Sequence, residues 1–295
     1  MIRSLLFAVL AAAAFAWTPA QAGDLASLTQ LYSVLPAQAD LPAPPVPLRS
    51  RASYLSPAAG LTGEKLFQFL HTATEYPPSG VGTDYLRAKK YMFSVADNTG
   101  CNGRPGVTCF YSLVCVPGSS EHGAEYKEPG DANDDGIVDD QGMNAEHVWP
   151  QGFFDEAKPM KSDLHHIFPT FMTVNNSRGS EPFAEVSNFV YSTNSGSRLG
   201  SEGFEPADEV KGDVARALLY FVTRYNDRKI RDGMDYKDFW VSRVPLFMKW
   251  HLQDPPDAAE RRRNDLIESY QGNRNPFVDD PRLVEKVGQA VFQAH

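Results

Sequence analysis

Asn144-Ala-Glu146-His147-Val-Trp149-Pro-Gln151, Ser162-Asp-Leu-His165-His166-Ile-Phe-Pro169 and Thr173-Val-Asn175-Asn-Ser-Arg178 carry three of the chain's seven histidines and decide how it reads. The first two pieces predict short strands, and the third, entered just after Pro169, predicts the start of a helix. A strand, strand, helix unit of this kind would bring Glu146, His147 and Asn175 to one point. A carboxylate and an amide oxygen are hard ligands suited to an octahedral ion that keeps several waters, as magnesium does. A histidine beside them, not itself a ligand, can take a proton from water. Alone, His147 would read as a buried histidine satisfied by a carbonyl, but the whole run favours catalysis. In a strand His165 and His166 would point to opposite faces, so at most one faces the site directly. Trp149 and Phe168 read as core.

Outward from this centre the chain predicts a mostly helical surround. Helices are expected over residues 63–71, 209–225, 238–252 and 258–270, the last ended by Gly272, whereas 85–97 and 108–116 look mixed or extended. The order helix, strands, then many helices points to a single α+β domain from about residue 61 to 295. Ahead of it, residues 36–57 are rich in Pro, Ala and Ser without periodicity, so 23–60 reads as an arm or linker. Residues 1–22 have the form of a signal peptide: Arg3 in a basic head, an apolar run to Trp17, and Ala20-Gln-Ala22 as the cleavage site. No segment is long and apolar enough to span a bilayer. The mature chain is therefore expected to be soluble, secreted or periplasmic, and monomeric.

The formal net charge is −9 for 295 residues, with 42% hydrophobic and 12% aromatic residues, which excludes disorder and allows one large core. That charge counts mildly against a polyanionic partner, unless local cations form a groove. Acidic residues cluster at 131–140 and 254–260. Within the first cluster, Asp131, Asn133, Asp135, the carbonyl of Ile137 and Asp139 match the opening positions of a calcium loop, with Gly136 at the sixth. Gly142 replaces the closing glutamate, so a structural calcium is expected from an incomplete motif. Three cysteines lie close together, and in an exported protein two should pair. Because 110–116 reads as extended, Cys101 with Cys109 is the easier bridge, although Cys115 could replace either partner. A zinc hydrolase is disfavoured, because no His-Glu-x-x-His spacing occurs. A calcium-dependent extracellular binding module would account for the acidic loop but not for the Glu-His pair.

The runs Glu146-His-Val-Trp-Pro-Gln151, Ser162-Asp-Leu-His-His166 and Val174-Asn-Asn-Ser-Arg-Gly179 resemble those of the secreted bacterial endonuclease I family, whose core is the ββα-metal or His-Me finger fold. Leu61-Thr-Gly63, Gly212-Asp-Val-Ala-Arg-Ala217 and Tyr270-Gln-Gly-Asn-Arg-Asn-Pro-Phe277 extend the resemblance over roughly residues 61–280. It implies that His147 is a general base and that Glu146 and Asn175 hold one divalent ion, magnesium with manganese able to substitute. That ion would bridge the scissile phosphate and the leaving 3′ oxygen, in DNA and RNA alike, leaving 5′-phosphate ends. Arg178 is the candidate for holding a phosphate oxygen. Some relatives place an arginine between the two strands, yet none occurs from Val148 to Ser162. Either Lys158 or Lys161 takes that place or Arg178 does both jobs, and Arg274 is a further candidate cation. Phosphate-directed contacts of this kind predict cleavage with little regard for sequence.

Overall fold

A computed structural model describes residues 54–76, 83–130 and 140–295. The expected signal peptide, most of the arm, and the candidate calcium ligands Asp131, Asn133, Asp135, Ile137 and Asp139 lie outside the described residues.

Helix α1 (Gly63–Ala73) turns Leu66, Phe67 and Leu70 into the core. Helix α2 (Tyr85–Tyr91) begins at Asp84, whose carboxylate accepts from the Arg87 amide at 3.1 Å, and runs on into a π turn, Met92–Ala96. The mixed or extended reading of this segment is thus corrected. Ala88, Met92, Phe93 and Ala96 are its buried residues, a helical spacing that makes one apolar face.

Strands β1 (Gly106–Thr108) and β2 (Cys115–Pro117) pair antiparallel, with Thr108 opposite Cys115. The expected extended run at 110–116 is instead a reversal. Cys109 N–H donates to Val114 O and Leu113 N–H to Cys109 O, both at 2.9 Å, and Leu113 adopts a positive φ of 57°. Turning the chain back brings Cys115 alongside Cys101, and these two form the disulfide. Cys109 stays a buried thiol, accepting from the Phe171 amide at 3.3 Å, so the Cys101–Cys109 expectation was wrong because it assumed a straight strand. Gly106 lets the bridge approach, since a Cβ there would collide with Cys101 Sγ.

Strands β3 (Met143–His147) and β4 (Ile167–Phe171) pair antiparallel, from Met143 opposite Phe171 to His147 opposite Ile167, and α3 (Met172–Arg178) follows β4 directly. The second strand starts later than the sequence suggests. Asp163 accepts from the His165 amide and caps a 3-10 turn over Leu164–His166, so both histidines precede the strand. A three-stranded antiparallel sheet follows, β5 (Phe189–Ser192), β6 (Arg198–Gly200) and β7 (Gly203–Glu205), in that order.

Helix α4 (Lys211–Tyr225) is the axis of the core, buried at every position except Asp213. Around it come α5 (Val244–Gln253), α6 (Ala258–Gln271), α7 (Pro276–Asp279), α8 (Arg282–Val287) and α9 (Gln289–Ala294). The expected helix at 238–252 is divided, a π turn at Lys237–Val241 preceding α5. Gly272 ends α6 at φ 84°, as its position implies. The molecule is α+β with a mostly helical second half. Among the described residues no helix is long and apolar enough to cross a membrane.

Candidate functional site

Alternation along β3 puts Asn144 and Glu146 on one face, and the turn of α3 puts Asn175 and Arg178 on one side of that helix. The two elements meet as two rungs. Asn175 Nδ2 donates to Asn144 Oδ1 at 2.6 Å, and Arg178 Nη1 lies 3.2 Å from Glu146 Oε1. Because the amide nitrogen of Asn175 is committed to Asn144, its oxygen is turned the other way. Tyr111 completes the arrangement by donating from its hydroxyl to Glu146 Oε1 at 2.7 Å. Ser195 and Ser197, on the turn between β5 and β6, donate to the Tyr111 carbonyl at 2.9 and 2.7 Å. Both side-chain contacts to Glu146 fall on Oε1, and the His147 backbone amide also acts on this carboxylate.

Burial raises the Glu146 pKa, and the charge of Arg178 and the Tyr111 hydroxyl only partly oppose it. The phenol of Tyr111 is itself pushed well above its ordinary value, first by burial and then by the Glu146 charge, so it remains a donor. Glu146 is thus a buried carboxylate that one arginine under-neutralises. The Asn175 amide, on the neighbouring rung, adds a second oxygen of the hard type that divalent cations take as ligands.

Arg178 does not stand where the sequence reading put it. Its side chain is 1% exposed, and it donates to the carbonyls of His147 (3.2 Å), Val148 (2.8 Å) and Gly179 (3.2 Å) while covering the Phe183 ring at 4.6 Å. These contacts make it a brace for Glu146 and the end of β3, with no face turned to a phosphate. Arg274 is closed in the same way. Glu268, Asp265 and Asp279 each accept from it at 2.7 Å, so its reading as a phosphate contact is corrected too.

His147, the last residue of β3, leaves the strand on the face opposite to Glu146. The sequence reading drew Glu146, His147 and Asn175 to a single point, whereas the structure groups Glu146 with Asn175 and sets His147 at the strand's end, towards the loop that returns to β4. Its Nε2 lies 3.0 Å from the Lys161 carbonyl, which can only accept, so Nε2 carries the proton and Nδ1 is left with a bare lone pair. Nδ1 is buried and makes no well-formed hydrogen bond among the described residues, although the Ala145 backbone also acts on the ring. Burial, reinforced by His166, lowers the His147 pKa to about 3, which keeps the ring neutral. Its ring neighbours are His166 at 5.4 Å, Tyr85 at 5.8 Å and Phe154 at 6.3 Å. A neutral imidazole held at Nε2 has a lone pair at Nδ1 that can accept a proton, although the lowered pKa makes it a weak base in this buried state.

His166 packs on His147 and is fixed by the Met160 carbonyl at 2.7 Å, while His165 turns away to the Asn273 carbonyl and Tyr220. The two histidines therefore diverge as expected, from a turn instead of a strand. Trp149 and Phe168 are core, Phe168 stacking on Phe110 at 3.9 Å. Lys161 pairs with Glu156, and its ammonium lies 5.1 Å from the Tyr85 ring. Sequence reasoning assigned nothing to Tyr111, Asn144 or Tyr85. Alternation from Glu146 could have found Asn144; nothing local points to Tyr111. Among the described residues there is no cluster of three or more His, Cys, Asp or Glu able to hold a metal ion.

The family model described as Endonuclease I matches residues 107–282. An extracellular ribonuclease of Bacillus amyloliquefaciens is 36% identical over 154 residues, covering 49% of this chain and 53% of the relative. An extracellular deoxyribonuclease of Aeromonas hydrophila is 30% identical over 132 residues (43% and 54%). A periplasmic deoxyribonuclease of the same organism is 29% identical over 128 residues (42% and 50%). The chain spans about half the length of the curated relatives it matches.

Proposed function

The chain belongs to the endonuclease I family, and from that premise we propose that it is an exported, metal-dependent endonuclease that hydrolyses phosphodiester bonds in DNA and RNA with little sequence preference. The observation that carries this reading is His147, neutral, pinned at Nε2 and bare at Nδ1, next in sequence to a buried and under-neutralised Glu146. A binding module without catalysis gives no reason for this histidine to stand next to Glu146 at the end of β3. The names of the relatives, ribonuclease and deoxyribonuclease, extracellular and periplasmic, support both sugars and export.

In this reading β3, β4 and α3 are the ββα core of a His-Me finger. Glu146, through the oxygen that Tyr111 and Arg178 leave out, and Asn175, through its amide oxygen, would hold one magnesium or manganese ion. When bound, that ion supplies Lewis-acid activation of the phosphate and stabilises the leaving 3′ oxygen. His147 Nδ1 accepts the proton of the attacking water, and the Lys161 carbonyl stabilises the imidazolium that results. Arg178 keeps Glu146 ionised and oriented. Breaking the bond to the 3′ oxygen leaves a 5′-phosphate, and water as nucleophile makes the 2′-hydroxyl unnecessary, so DNA and RNA are equivalent at the reacting centre. The acidic stretch from Asp131 to Asp139 would hold a structural calcium, a reading that rests on the sequence motif alone.

Incubating the purified chain with supercoiled plasmid and with a transcript, with magnesium or with EDTA, tests this. Nicking of both substrates only with metal, with 5′-phosphate ends, is the expected outcome. A 2′,3′-cyclic phosphate among the RNA products, or equal cleavage in EDTA, would overturn it.

A further inference from the structure

With a net charge of −9, a polyanion can be held only where cations are set apart from the surrounding acids. One such place lies beside His147. The ring of Tyr85, first residue of α2, is 5.8 Å from the His147 ring. Lys89, one helical turn further on and so on the same side of α2, holds its Nζ 4.8 Å from the Tyr85 centroid. Lys161 holds its Nζ 5.1 Å from that centroid, and its backbone carbonyl is the acceptor that fixes His147. The ring thus gathers two ammonium groups from separate parts of the chain. Each is drawn by the negative π system of the ring. Glu156 pairs with Lys161, but among the described residues no carboxylate pairs with Lys89. Unlike Arg178 and Arg274, which are buried and bonded to internal acceptors, these are cations with spare donors next to the candidate base.

We propose that Tyr85, Lys89 and Lys161 form a subsite for the phosphodiester backbone, receiving the phosphate next to the one that is cleaved. This rests on the nuclease reading above and goes beyond it by assigning substrate contacts. The physical reason is direct. A phosphate that reaches these ammoniums replaces the hydrogen bonds they otherwise make with water and gains their charge. Lysine is a point charge that imposes no base preference, which agrees with contacts that position without specifying. Glu156 acts as the competitor that the backbone displaces from Lys161.

The test uses the full chain carrying His147→Ala to prevent cutting. A fluorescein-labelled DNA single strand of about 12 nucleotides, within the usual footprint of a single-strand groove, is titrated at several salt concentrations. Adding Lys89→Ala should weaken binding and flatten the log Kd against log salt slope by about 0.7, the loss of one phosphate contact on a single strand. Lys89→Arg should keep the slope, and Glu156→Gln should tighten binding by freeing Lys161. Lys65→Ala, an exposed lysine of α1 outside the site, serves as the control and should change neither quantity. An unchanged slope with Lys89→Ala, or an equal loss with Lys65→Ala, overturns the subsite while the nuclease reading stands on plasmid cleavage by the parent chain. A parent chain that neither cuts nor binds nucleic acid overturns both.

Discussion

Two clusters of buried charge, both within motifs that mark the family, end differently. Around Arg274, three carboxylates meet one guanidinium. Asp265, Glu268 and Asp279 accept from it, and Asp279 is further engaged by Asn264 and by the Tyr54 hydroxyl at 2.5 Å. Around Glu146, one guanidinium and one phenol share a single carboxylate oxygen, and the neighbouring His147 keeps a nitrogen with no well-formed hydrogen bond among the described residues. The first network has its donors and acceptors matched and works as structure, tying α6 to α7. The second holds an acceptor in reserve, at the cost of burying a polar atom without a partner. Neither polar burial nor an open nitrogen by itself marks a site, since His166 and His251 are also held at Nε2 and open at Nδ1; what sets His147 apart is its place next to Glu146.

The sharpest break between the two clusters should come from His147→Ala. It should lower the turnover of plasmid at least ~100-fold, the ordinary worth of a positioned general base, while leaving the melting temperature close to that of the parent. Near-normal cleavage by a well-folded variant would mean that the open nitrogen has no role. Arg274→Ala should do the opposite. Removing it strands acids in the interior and should cost about 3–5 kcal/mol of stability by denaturant titration, with specific activity retained by the fraction that stays folded. Should its stability match the parent's, the closed network is not structural.

Tyr111→Phe sits between these extremes, because it touches the open cluster without being a candidate ligand. It should weaken magnesium or manganese binding, measured by calorimetry, about tenfold, as losing a hydrogen bond to a metal ligand commonly does. Unaltered metal affinity would remove Tyr111 from the site. The smallest effect is on acid stability. Burial holds His165, His166 and His251 neutral, each with a pKa of about 4 against an ordinary 6.5. The unfolded chain therefore takes up protons first, and the contribution of these residues is complete above about pH 6.5 and is lost as pH falls towards 4. Melting temperatures between those limits should decline steadily with pH. A flat profile would mean that these rings are protonated in the fold.

Much of the site could be read from residue spacing. Alternation about Glu146, the helix entered after β4, and the long amphipathic pattern ending at Tyr225 are local features, and local periodicity survives in a linear string. The sequence determined that a strand, strand, helix unit carries Glu146, His147 and Asn175, that the second half is helical, and that the fold is α+β. It could not decide where a side chain spends its hydrogen bonds, since a partner may lie anywhere along the chain. Tyr111 stands 35 residues from Glu146, and the serines that hold it stand 84 and 86 residues beyond. The reversal at 109–114 sent Cys115 to Cys101, because one positive φ at Leu113 turns an apparent strand into a hairpin. Arg178 and Arg274, equally plausible on paper as phosphate contacts, were turned inward because carboxylates and carbonyls surround them in space. Tertiary structure alone separates charges that are spent from charges that remain available, because desolvation and pairing depend on every neighbour that packing brings within a few ångströms.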